Sequence, residues 1–428
     1  MKLVPAASIF LLLLFSASCA SIPVHIVSEG RQIPGDFAGI CHAGRTGTDT
    51  EFSHLNYLGA KWTLNTYEWS IIERVQGEWN FEMYDRITDN CIKSGLKIIA
   101  LLAYDASWIH EDGIRRQYIP PDRIPDFLNY VRRTVEHFRG KVDAWCIWNE
   151  PNFNHFWKGT DEEFIELSRL TADVIREVDS SAVIIGGSFN RLYFFPEKFI
   201  KDFFKSGAMD KVDYIAFHPY ELNVARSVRL YEKFRKIVDE FGYGDKIWIT
   251  EMGFPTGGLY PNRISEKKFP ETVIKSYAHL AYAGAMNVLW YQMYDPENRN
   301  RKNRQSEDYF GLFRSVSEPE SKAAEAFRLC AHYMPNTTCY VLTPESDGIP
   351  RSLKAFWFKG RNNGALVLWN EAGAGRLKIK LPGAEHLRHD IVTGGKTAIS
   401  SEVTIRVGSE PVFITWSQSG EERPVIKR

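Results

Sequence analysis

What most limits the fold of this chain is a series of eight short apolar runs, each followed by a helical pattern. The runs are "DFAGICHA" (36–43), "AKWTLNT" (60–66), "LKIIALLAY" (96–104), "VDAWCIWNE" (142–150), "AVIIGGS" (182–188), "VDYIAFHPY" (212–220), "KIWITEMG" (246–253) and "NVLWYQMY" (287–294). Between them lie stretches such as "DEEFIELSRLTADVIREV" (161–178) and "ETVIKSYAHLAYAGA" (271–285), apolar at i, i+3 and i+4. Near-continuous apolar strands alternating with amphipathic helices specify a parallel sheet covered on both faces. Eight such units in roughly 300 residues fit an α/β chain of the (β/α)8 TIM-barrel class. An open doubly wound sheet competes with it, but no glycine-rich phosphate turn follows the first run.

After about residue 335 the pattern changes. "LKAFWFKG", "GALVLWNE", "RLKIKL", "EVTIRVG" and "PVFITW" read as short alternating strands with Gly, Asn and Pro between them. The expected organisation is a barrel over 22–335 and a C-terminal antiparallel β-sandwich over 336–428. Residues 22–34, which include "VHIV", are expected to lend the sandwich a strand.

The N-terminal "MKLVPAASIFLLLLFSASCAS" has a Lys, an apolar stretch and then small residues, the pattern of an export signal. Residues 1–18 are expected to be a lipoprotein-type signal peptide, with Cys19 the first mature residue and the lipid attachment point. Cleavage nearby without lipidation is the rival reading. The protein is thus expected in the cell envelope, or secreted, touching membrane only through such an anchor. Export permits Cys330 and Cys339 to pair, while Cys41, Cys91 and Cys146 sit in or beside apolar segments as small core residues. The 53 basic residues balance 53 acidic ones, so no global field draws nucleic acid.

Barrel chemistry is carried at the C-terminal ends of the strands. Those ends hold His42, Tyr104, Asn149, Glu150, His218, Tyr220, Glu251 and Trp290. Glu150, followed by Pro151, could simply start a helix, and Glu251 could be a loop carboxylate. Ending the fourth and seventh runs of one closed barrel, however, they face the same cleft. No histidine pair has metal-ligand spacing and no cofactor motif is present, so neither metal nor cofactor is expected.

"IWNEPN" and "WITEMGFPT" resemble the two signature strand ends of clan A retaining glycoside hydrolases, the 4/7 superfamily. "EWSIIERVQGEWNFEMYDRITDNCIKSGLKIIALLAY" resembles the second and third βα units of families 5 and 39, and "FHPY", "YQMYD" and "ESKAAEAF" continue the likeness. The resemblance implies a carbohydrate substrate, Glu150 as acid/base, Glu251 as nucleophile and double displacement through a glycosyl-enzyme. Retaining carboxyls stand about 5–5.5 Å apart. At that range two charges repel by about 3 kcal/mol at an effective dielectric near 20, about two pKa units, which would keep one of them protonated.

By the same likeness Asn149 donates to the sugar 2-hydroxyl, His218 and Tyr220 orient the carboxylates, and Trp290 is a stacking floor. Tyr104, Trp108 and Trp157 line flanking subsites, and His42 stands at the first strand end. Strict alternation would send Asn149 and Glu150 to opposite faces, so the strand must twist or end there. Leu64 stands where family members often carry an Arg supporting the nucleophile, and Arg45 is the candidate substitute. A non-hydrolytic glycan-binding protein and a transglycosidase are the alternatives on this fold. Two basic loops, "GIRRQY" (113–118) and "NRNRKNR" (298–304), are either solvated surface or a field favouring an anionic glycan through Arg115, Arg116, Arg299, Arg301, Lys302 and Arg304.

Overall fold

The computed structural model describes residues 29–190, 196–296, 306–318, 321–391, 395–417 and 423–427. The leader with Cys19, "VHIV" and the second basic loop lie outside these residues. A two-residue strand, β1 (Arg31–Gln32), precedes the barrel. The barrel strands are β2 (Ala38–Cys41), β3 (Trp62–Glu68), β4 (Lys97–Ala103), β5 (Ala144–Ile147), β6 (Ile184–Asn190), β7 (Tyr214–His218), β8 (Ile247–Met252) and β9 (Asn287–Trp290). All eight expected runs became strands, and the parallel pairing of β2 with β9 closes the barrel.

Helices follow the strands as the periodicity dictates. The stretch read as helical over 161–178 is the helix Asp161–Val178, opened by a capping box between Thr160 and Glu163. The helix before the last barrel strand, Phe269–Ala283, ends on Gly284, whose φ of 91° is open to glycine at no steric cost.

The C-terminal part contains β10 (Thr338–Val341), β11 (Leu353–Lys359), β12 (Asn363–Asn370), β13 (Gly375–Lys380), β14 (Ala384–His389), β15 (Lys396–Ala398), β16 (Glu402–Val407), β17 (Val412–Ser417) and β18 (Val425–Lys427). Seven strands form one antiparallel sheet in the order β1-β10-β11-β12-β17-β14-β15, and β16-β13-β18 form a second. The strand expected on "VHIV" lies outside the described residues; within 29–34 the two residues of β1, Arg31–Gln32, pair with β10.

One face of the larger sheet, with Phe356, Phe358, Val367, Trp369 and Phe413, joins the barrel core. Its other face, with Ala355, Trp357, Leu366, Leu368 and Ile414, packs on Leu377, Ile379 and Ile405 of the smaller sheet. Lying between two layers, β12 is buried from Gly364 to Trp369 and does not alternate as the sequence pattern suggested. β13 of the outer sheet alternates cleanly, because one of its faces packs on the larger sheet and the other meets water. Each large apolar side chain buried here contributes roughly 1.5–3 kcal/mol.

Cys330 and Cys339 are not paired: each is a free, fully buried thiol, as are Cys41, Cys91 and Cys146. Cys330 sits on the helix Lys322–Tyr333 and Cys339 on β10, and each fills core volume as a small apolar side chain.

Candidate active site

The run ending in Glu150 does not start a helix. β5 leaves the ladder after Ile147, and the chain turns through residues 151–156 before the next helix begins at Asp161. Trp148 and Glu150 both take left-handed backbone, φ 59° and 44°. That departure from strand geometry resolves the alternation problem. Trp148 turns into the core against Tyr104, Phe127 and Trp157, while Asn149 and Glu150 both line one cleft. Non-glycine residues in this region cost roughly 1–3 kcal/mol each, and they concentrate where function requires them. His42, just past β2, and Ser188, at the register shift within β6, share the conformation with φ 65° and 44°.

Glu150 and Glu251 meet across His218. One oxygen of each carboxyl and one nitrogen of His218 lie within 4.8 Å of one another. His218 Nδ1 is 2.8 Å from Glu150 Oε1 and 3.7 Å from Glu251 Oε2, and its Nε2 is 2.8 Å from Thr250 Oγ1. The Tyr220 hydroxyl donates to Glu251 Oε2 at 3.2 Å. Burial lowers the His218 pKa, so the ring bridges as neutral imidazole. Thr250 can donate or accept, which gives either tautomer a partner.

Glu150 is 4% exposed, and burial raises its pKa to about 8. The proton is therefore held by desolvation and not, as the sequence argument supposed, by repulsion from the second carboxylate. A hydrogen bond from Asn190 works against the rise. Asn190 ends β6, and its backbone is clamped in turn by Asn152, whose Oδ1 accepts from Asn190 N at 2.9 Å and whose Nδ2 donates to Asn190 O. Two carboxylates and an imidazole could also meet a divalent ion. Such an ion would have to displace the Glu150 proton, which is held to about pH 8.

The cleft encloses about 550 Å³ and is walled by His42, Thr66, Tyr104, Phe153, His155, Phe156, Tyr260, Asn262, Tyr291 and Phe310 besides the residues above. Burial, aided by the charge of Arg45, lowers His42 to about 3, and its Nδ1 lies 2.9 Å from Gln292 Oε1. Asn149 hydrogen-bonds the Tyr104 hydroxyl, and its buried Oδ1 has no partner among the described residues.

Three expected aromatics are not part of the wall. Trp290 faces outward and packs on Phe269 and Tyr277 of the helix Phe269–Ala283; its neighbour Tyr291, pointing the other way, lines the cleft instead. Trp108 is held by its Nε1 bond to Glu73 O at 2.9 Å and packs on Trp69. Trp157 is buried between Trp148 and Phe164. Arg45 stays exposed and makes no ion pair with Glu251, and Leu64 remains a buried apolar side chain of β3. Arg115 and Arg116 are committed to Glu68 and Asp112 at 3.0 and 2.5 Å.

Asn190, Phe153, His155, Phe156, Tyr260, Asn262, Tyr291 and Phe310 escaped the sequence reading. Phe153, His155 and Phe156 were within sight in the stretch after Glu150. Asn190 was hidden because β6 runs two residues past its apolar part, with a register shift between Gly186 and Phe189.

Residues 76–240 match the family model for Glycosyl hydrolases family 39. A beta-xylosidase of Caldicellulosiruptor saccharolyticus is 29% identical over 116 residues, 25% of this chain and 23% of that protein. An endo-1,4-beta-xylanase B of Thermotoga neapolitana is 24% identical over 212 residues, 45% of this chain and 58% of that protein. The matched regions thus cover well under two thirds of these relatives. A family 39 glycoside hydrolase from the gut symbiont Bacteroides cellulosilyticus WH2 superposes with a TM-score of 0.73 at 18% identity, covering 90% of this chain and 81% of that one. A monomeric beta-xylosidase from Caulobacter crescentus gives 0.63 at 12%, covering 91% and 97%. These likenesses bear out the fold and the resemblance to family 39 of the clan A glycoside hydrolases.

Proposed function

We propose that the chain is a retaining glycosidase working by double displacement. The observation that carries this is the placing of a protonated Glu150 and a second carboxylate, Glu251, with facing oxygens no more than 4.8 Å apart at one cleft. An inverting pair needs about 6.5–9.5 Å to admit a water, and a retaining pair about 5–5.5 Å. Glu251 attacks the anomeric carbon while Glu150 passes its proton to the glycosidic oxygen, so the bond to the leaving group breaks as the ester to Glu251 forms. With the charge on Glu251 consumed, Glu150, now a carboxylate, takes a proton from water, and the hydroxide oxygen displaces Glu251 with a second inversion. Tyr220 holds the nucleophile. The open valence at Asn149 is Oδ1, so with the amide placed as it is a sugar hydroxyl would donate to it, reversing the direction expected from the resemblance.

β-Xylosides are the first substrates to test, since two of the relatives are named as a beta-xylosidase and an endo-1,4-beta-xylanase. Incubation with an activated 2-fluoro-xyloside, followed by peptide mass mapping, should place a covalent adduct on Glu251. Absence of adduct and of turnover across a broad panel of fluoro-glycosides would sink the enzyme reading. The second reading, a non-hydrolytic glycan binder, is favoured by one feature: a buried Leu64 stands on β3 where the resemblance leads one to expect an Arg. A transglycosidase would form the same adduct and be told apart by its preference for a sugar acceptor over water. We further propose export with lipid attachment at Cys19; radiolabelled palmitate should enter the wild type in a bacterial host and not a Cys19→Ala variant.

A further inference from the structure

The outer face of the three-stranded sheet carries a concentration of charge that the cleft does not use. β13 presents Arg376, Lys378 and Lys380 to solvent, β16 presents Arg406 and β18 presents Lys427, all exposed, while their strand neighbours are buried. Among the described residues Glu402 is the acid on this face, and it pairs with Lys378 at 3.3 Å. Among the described residues the other four cations make no ion pair, on a chain whose charges cancel overall. Register sharpens the point. Arg376 lies directly opposite Arg406 and Lys378 directly opposite Lys427, while Lys380 lies opposite Glu402. Like charges facing each other across a ladder destabilise a sheet, so stability does not account for these two like-charge pairs.

Side chains two apart on a strand are spaced by about 6.6 Å and neighbouring strands by about 4.8 Å, so the face is a flat grid roughly 13 by 10 Å. It has no exposed aromatic ring on which a neutral sugar could stack. Among the described residues its one exposed apolar side chain is Val425, and surfaces that insert into bilayers pair their cations with large apolar groups. We propose that this face docks an acidic polysaccharide, whose regularly spaced carboxylates lie across the cations of the three strands. Docking here is independent of turnover in the cleft, and the two are read by different measurements.

The test is affinity electrophoresis of the full chain in gels containing polygalacturonate or neutral xylan. Polygalacturonate should retard the wild type, with relief by salt, more strongly than xylan does. The triple variant Arg376→Gln, Lys378→Gln, Lys427→Gln should weaken the apparent Kd for polygalacturonate by about tenfold or more, with aryl-glycoside turnover unchanged. Should the triple variant fold poorly, Thr404→Glu, which puts a negative charge in the middle of the grid, should weaken retardation in the same sense. Equal retardation of wild type and folded variants, or no retardation of the wild type, overturns the proposal. Binding to phosphatidylglycerol vesicles without binding to polygalacturonate overturns it in favour of a membrane surface.

Discussion

To act as the proposed acid, Glu150 has to be buried enough to keep its proton and open enough to give it away. With a pKa of about 8 in the fold and an ordinary value of 4.5 when unfolded, it lowers stability as pH rises between those two values, because the unfolded chain ionises first. Glu150→Gln removes that dependence. The variant should be more stable than wild type by on the order of 3 kcal/mol at pH 7, and no more stable at pH 4, in urea titrations at the two pH values. The wild-type kcat/KM should fall along an alkaline limb near pH 8. Asn190→Ala deletes the bond that opposes the rise, so its limb should lie at higher pH. The backbone of residue 190 stays clamped by Asn152, so a shifted limb with unchanged melting temperature distinguishes positioning from loss of structure. At this scale the sequence was legible where a residue's type was its signal: Glu150, Glu251, His218, Tyr220. It was wrong by one position at Trp290, because neighbours on a strand point to opposite faces and only the register says which is inside.

Elements were read more securely than single residues, since a period of 3.6 or 2 averages over many side chains. The helix Asp161–Val178 coincides with its apolar stripe and is started by Thr160 and Glu163. Thr160→Ala should cost about 1 kcal/mol, seen as a lower urea midpoint, with KM unaffected because the cap is not at the cleft. β7 delivers His218 at its last residue, and Tyr220 follows two residues on, so one short segment sets the geometry of both carboxylates. Tyr220→Phe loses the bond to Glu251 and should lower kcat about tenfold with little change in melting temperature, consistent with a hydrogen bond of about 1–1.5 kcal/mol. β6 was the element read short, since a polar end after a register shift carries no apolar signal.

On the scale of the whole molecule, the barrel and the larger sheet share one continuous core. His279 of the helix Phe269–Ala283 packs edge-on against Phe356 and Trp369, and Lys275 donates to Ser409 O at 2.7 Å. Truncation after residue 335 would bare that surface and strip β1 of its partner; the shortened chain should aggregate or melt well below the full one, measured by light scattering and calorimetry. By itself the sequence determined the barrel, the trailing β layers and the two carboxylates, because apolar periodicity and residue type are local properties. Tertiary structure alone decided which aromatics wall the cleft, that Arg45 forms no ion pair with Glu251, and that desolvation holds the Glu150 proton. Those outcomes depend on register, on left-handed turns at strand ends and on burial, which arise only when distant segments pack together.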